Sequence, residues 1–128
     1  MKVRLRMIRI DMLTGEEETL LETEALLNRD RLLYRESETA RQSVFFGENI
    51  ILERHADISS RTVLIPYRDG TAEVTSEYGT MEMKTRLLAF HKDQFEWSVE
   101  YQVLVQDEIS LHQKLIWRIS PENAEVKS

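Results

Sequence analysis

Apolar and polar residues alternate at period two along most of the chain. The clearest run is Phe95-Glu96-Trp97-Ser98-Val99-Glu100-Tyr101-Gln102-Val103. Ile109 to Trp117 and Met81 to Leu87 repeat the pattern. Alternation with β-branched and aromatic types suits a strand with one buried face. No window holds a helical period beyond two turns. The reading is all-β, with eight to ten antiparallel strands joined by short hairpins.

Turn chemistry then sets a register. Asp69-Gly70 reads as a two-residue turn pairing Tyr67 with Ala72 and Ile65 with Val74. Gly47-Glu48 reads as another, pairing Phe45 with Ile50 and Ser43 with Leu52. A three-residue loop at Lys92-Asp93-Gln94 places Thr85 opposite Tyr101 and Ala89 opposite Trp97. A loop at Gln106-Asp107-Glu108 places Tyr101 opposite Gln113, Val99 opposite Leu115 and Trp97 opposite Trp117. The first hairpin needs a bulge near Met7, with Ile8 facing Leu21 and Ile10 facing Thr19. It also sets Arg6 against Glu22 and Arg4 against Glu24 on the solvent face. An up-and-down meander of this kind removes its edges by closing into a barrel, with the first strand against the one ending at Ile119. A two-sheet sandwich is the alternative. Residues 1–120 form one domain and 121–128 a tail that frays or makes one short helical turn.

Composition narrows the function classes. The chain has 128 residues, no cysteine and a formal net charge of -6. The absence of cysteine excludes a thiolate metal site and agrees with a reducing, cytoplasmic location. Charges stand in Met1-Lys2-Val3-Arg4-Leu5-Arg6 where a secretory signal needs an apolar run, and no segment is long and apolar enough to span a bilayer. The acidic balance disfavours nucleic acid. His55, His91 and His112 have no second ligand at metal spacing, no nucleophile elbow is present, and no cofactor is implied.

Short stretches in this sequence resemble the YwiB-like family of small bacterial proteins, a family without assigned function that has a calycin or lipocalin-like barrel. They are Leu52-Glu53-Arg54 with Ser60-Arg61, then Tyr78-Gly79-Thr80-Met81-Glu82, Thr85 and Tyr101-Gln102-Val103. An early glutamate-rich strand leading to Tyr34-Arg35-Glu36 also matches. The sequence departs from the pattern at Ser76-Glu77, where Thr-Pro is expected, and at Ala56, where glycine is expected. The resemblance implies a barrel and no activity.

The candidate ligand site is a polar row inside an apolar lining. The register puts Thr85, Tyr101 and Gln113 side by side at inward parity, among Met83, Leu87, Val99 and Leu115. Such groups either satisfy one another or orient a ligand, because an unmet buried hydroxyl or amide costs roughly 1–3 kcal/mol. Arg54 shares the inward parity of Ile50 and Leu52. It either pairs with Glu36 or clamps an anion. With Tyr34, Tyr78 and Tyr101 it would suit an anionic amphiphile. Trp97 and Trp117 read as a plug beside Ala89, and Met7, Met12, Met81 and Met83 as core or adaptable lining.

The leading expectation is therefore a non-enzymatic barrel that binds a small apolar or anionic amphipathic ligand inside. The second is an interaction module, including a homodimer, acting through Leu20, Leu88, Phe90, Leu104 and Ile116 at outward parity. The third is an enzyme using Glu36 near Tyr34 as acid or base.

Overall fold

The structure, a computed structural model, describes residues 1–122. Ten antiparallel strands run in chain order: β1 (Lys2–Asp11), β2 (Glu17–Asn28), β3 (Arg31–Arg35), β4 (Arg41–Phe46), β5 (Ile50–His55), β6 (Ser59–Leu64), β7 (Asp69–Ser76), β8 (Gly79–Lys92), β9 (Glu96–Val105) and β10 (Glu108–Pro121). Each pairs with its neighbours in sequence, and β1 pairs with β10, so the meander closes into a barrel. Leu5 lies opposite Ile119 across the closure. No helix among the described residues is long and apolar enough to cross a membrane. Residues 123–128, which hold most of the expected tail, lie outside the described residues. Pro121 itself still pairs with Val3 at the end of β10.

Several expected registers hold. Gln113 faces Tyr101, Leu115 faces Val99 and Trp117 faces Trp97. Arg6 faces Glu22, with a 2.9 Å ion pair, and Arg4 faces Glu24. A bulge does lie at Met7/Ile8, but its extra residue is Leu20 on β2 rather than one near Met7 on β1. It sets Ile8 against Thr19 and Ile10 against Glu17 rather than against Leu21 and Thr19.

Three further registers are corrected. The turn before β7 is Ile65-Pro66-Tyr67-Arg68, not Asp69-Gly70. The Arg68 amide donates to the Ile65 carbonyl, and Tyr67 has a φ of 68°. Proline second and positive φ third is the type II pattern. Gly70 instead lies inside β7, where a Cβ would stand 2.1 Å from the Val63 carbonyl oxygen and 2.7 Å from Thr85 Oγ1. Glycine is there because another backbone approaches closely. The β4–β5 turn takes three residues, so Phe46 faces Ile50 and Val44 faces Leu52. That one-residue difference turns Val44 and Phe46 inward in place of Ser43 and Phe45. Between β8 and β9 the turn lies later than expected, over Asp93–Glu96, so Lys92 rather than Ala89 faces Trp97; the bulge at Leu87/Ala89 takes back one position, and Thr85 faces Val103.

Strand length makes the two barrel ends unlike. β3 to β6 have five or six residues, whereas β8 to β10, β1 and β2 have ten to fourteen. At the end holding the chain termini, Trp97, Phe46, Ile50, Leu64, Leu32, Val3 and Ile119 fill the lumen. Trp97 meets Phe46 edge-on at 5.6 Å between ring centroids. At the opposite end the long strands outreach the short ones. There the inward-parity residues Met81 and Leu111 are exposed. β2 pairs with β3 only over Ala25–Asn28, which leaves its first half without a neighbour on that side.

Of the five apolar residues expected at outward parity, two are covered. Leu104 and Ile116 are buried, and Phe90 packs toward Phe46 at 6.4 Å. Leu20, Leu88 and Phe90 stay exposed, the two leucines each at a bulge.

The close approach at Gly70 has a measurable consequence. Gly70→Ala forces two paired backbones apart, and a loss of about 1–3 kcal/mol is expected. Chemical denaturation with unchanged slope checks it.

Candidate functional site

The polar site forms at the open end, from four strands and one loop. Arg54, on β5, extends inward and reaches Glu36 in the β3–β4 loop. Its Nε donates to Glu36 Oε1 at 2.7 Å and its Nη2 to Oε2 at 3.0 Å. A third guanidinium hydrogen bond goes to the Ile58 carbonyl at 3.3 Å. The forked geometry is the one a planar guanidinium makes best with a carboxylate.

Gln42, on β4 directly opposite Arg54, links this pair to the core. Its Nε2 donates to Glu36 and its Oε1 accepts from the Tyr34 hydroxyl at 2.6 Å. Trp117 Nε1 donates to the same hydroxyl at 3.0 Å. The chain Arg54–Glu36–Gln42–Tyr34–Trp117 thus runs from solvent to the buried indole. Every buried side-chain nitrogen and oxygen among the described residues has a partner, as a low-dielectric network requires.

The charges follow from these contacts. The hydrogen bond from Arg54 holds the Glu36 carboxyl below its ordinary range, against a smaller opposing effect of burial, and Gln42 adds to the lowering. The reciprocal bond raises Arg54. Burial raises the Tyr34 phenol, offset in part by Trp117, and burial likewise raises Tyr101. Glu36 is consequently held ionised, the opposite of what a proton donor at neutral pH needs.

The other expected site residues separate. Tyr101 and Gln113 do pair, with Nε2 donating to the hydroxyl at 2.7 Å. Thr85 is not beside them. It is fully buried and donates to the Val63 carbonyl at 2.7 Å, over Gly70. Tyr78 projects into solvent at the β7–β8 turn and makes no side-chain hydrogen bond to Arg54 or Glu36. Sequence reasoning missed Gln42, Ser60, Thr62 and the contact between Trp117 and Tyr34. Gln42 had a signal: once the β4–β5 loop has three residues, its parity matches that of Val44 and it falls opposite Arg54.

A cavity of about 130 Å³ lies between these groups. Arg54, Gln42, Ser60, Thr62 and Tyr101 contribute polar wall, and Leu52 and Leu115 apolar wall. Water occupies about 30 Å³ per molecule, so the space holds a few waters or a carboxylate with a short stub of carbon. A whole drug-sized ligand needs roughly 300–1,000 Å³. No cluster of three or more histidine or acidic side chains able to hold a metal occurs among the described residues.

No family model matches the chain, and no curated protein matches it by sequence. A solved structure does match. The chain is similar in fold to the YwiB protein of Bacillus subtilis. Its crystal structure aligns with a TM-score of 0.61 at 11% identity, over 94% of this chain and 89% of that one. At that identity the likeness shows the fold alone, and it agrees with the resemblance carried by the short sequence motifs.

The Arg54–Glu36 pair makes stability depend on acid. Its folded carboxyl titrates below the ordinary value of 4.5. The contribution is therefore complete above about pH 4.5 and is lost as pH falls through the lower folded value. Both side chains are partly exposed, at 41% and 26%, so screening limits it to about 1 kcal/mol. Glu36→Gln is expected to melt below the parent protein at pH 7, and the gap is expected to narrow progressively as pH falls below about 4.5, in thermal scans over that range.

Proposed function

We propose that this protein is a binding barrel that takes the anionic end of a small amphiphile into its open mouth. The observation that carries the reading is the cavity of about 130 Å³ with the Arg54 fork in its wall. The closed half of the lumen is filled by Trp97, Phe46 and their neighbours, so a ligand lying wholly inside, as in a calycin-type binder, has no room. What fits is a carboxylate-sized head beside Arg54, Thr62 and Tyr101. The tail then lies outward along Leu111, Met83 and Met81 on the overhanging strands.

Glu36 acts as the resident occupant of the fork. An incoming anion competes with it for the same guanidinium hydrogens, so the free site is closed by an internal carboxylate. Removing that charge opens the site. Titration calorimetry with decanoate at pH 7 is the test. Glu36→Gln is expected to bind at least about tenfold more tightly than the parent, the size of one charge-assisted hydrogen bond. Arg54→Met in the Glu36→Gln background is expected to abolish the gain. Equal, weak heats in all three proteins would remove the mouth as a ligand site.

A further inference from the structure

A second feature lies on the outer wall, independent of the mouth. Arg35 on β3 stands directly opposite Arg41 on β4, and Arg41 directly opposite His55 on β5. The two arginines are like charges placed directly across a sheet, which destabilises it. The surrounding carboxylates do not relieve this. Glu24, Glu53, Glu38 and Asp57 line the adjoining hollows, yet among the described residues no ion pair includes Arg31, Arg35, Arg41 or Lys2. Glu53 turns to Arg61 instead, at 3.9 Å. In a chain whose net charge is -6, this face gathers unneutralised cations.

The same face is hollow and has an apolar floor. A groove of about 740 Å³ crosses β2 to β5. Leu26 and Leu33 face each other across β2 and β3 and remain 49% and 39% exposed. Arg31 and Arg35 flank Leu33 at two residues on either side along the strand. Arg31 lies over the Phe45 ring at 5.8 Å, which fixes the guanidinium at one end of the groove. The pattern is cation, leucine, cation, repeating every second residue.

We infer that this outer groove docks an extended acidic segment of a partner protein, with acidic residues at positions i and i+4 and an apolar residue at i+2. In extended chain those two acidic positions stand about 13 Å apart, the spacing of Arg31 and Arg35 on β3. Two arginines supply forked donors for carboxylates, and the leucine pair takes the central side chain. Nucleic acid fits less well, because Tyr34 is buried and the Phe45 ring is already covered by Arg31, which leaves no free aromatic face for a base. A membrane surface fits less well because the apolar floor is recessed between charges.

Fluorescence anisotropy with a labelled Glu-Ser-Leu-Ser-Glu peptide tests the inference. The expected results are salt-sensitive binding, no binding of the Lys-Ser-Leu-Ser-Lys peptide, and an affinity at least about tenfold lower for Arg41→Glu. Arg41→Glu also replaces a like-charge pair by an opposite one, so its melting temperature is expected to match or exceed the parent's. That separates lost binding from lost folding. Arg35→Gln with Arg41→Gln gives the same reading if the reversal perturbs the strand. Equal binding of the two peptides, or unchanged affinity in the arginine variants, would overturn the inference. So would capture of a twelve-residue oligouridine or of phosphatidylserine vesicles in place of the acidic peptide.

Discussion

Closure of β1 against β10 is the constraint from which the other features follow. The ladder runs from Val3 opposite Pro121 to Asp11 opposite Gln113, and it compels the inward side chains of ten strands to share one lumen. With the edges removed, every strand has a defined inside. Two indoles then decide how the lumen is divided. Trp97 fills the end at which β1 begins and β10 finishes. Trp117 reaches across the barrel to the Tyr34 hydroxyl, 83 residues away in sequence. Beyond that contact the interior becomes polar, and the short strands β3 to β6 leave it open to solvent.

This division explains why buried polar groups and a mouth coexist in so small a barrel. Tyr34 is held in place from both sides, by an indole donor and by an amide acceptor, so its burial is fully compensated. Gln42 in turn has its two functions used, and its amine fixes Glu36. The result is that Arg54 meets a carboxylate already oriented for it. The pair is modest in stability, because both partners touch water, but it is well defined in position. A fork oriented in this way is also one that an external anion can read.

The sequence made the barrel legible, and much of its interior, because alternation carries parity directly. Trp97, Val99, Tyr101, Leu115 and Trp117 face inward as the pattern requires. The β9–β10 register was reached by compensation. The real turn is two residues, Gln106-Asp107, both at positive φ, and a bulge near Ser110 adds back the third. Elsewhere the turns sit away from the local signal. The later β8–β9 turn moves Thr85 away from Tyr101, and the bulge at Leu88 returns only one of the three positions; a glycine suited to a two-residue turn conceals the third residue at Asn49. Gly70 announced a turn but served a close backbone approach, while Pro66 beside it marked the true turn. The site was half legible for the same reason. Arg54 with Glu36 and Tyr101 with Gln113 follow from local pairing. The link through Gln42 to Trp117 depends on the corrected register and on a contact across the lumen, which no local pattern encodes.

Hydrogen exchange at individual side chains measures the proposed division most directly. The Trp117 indole is buried and donates its N–H to Tyr34 at the inner wall of the cavity, whereas the Arg54 Nε–H lies at the mouth. The indole is expected to exchange only through global unfolding, with the same opening free energy as the slowest backbone amides of β9 and β10. Arg54 is expected to exchange by local opening, orders of magnitude faster. An indole that exchanges as readily as Arg54 would show that solvent enters the whole lumen, and the separation into a packed end and an open end would be wrong.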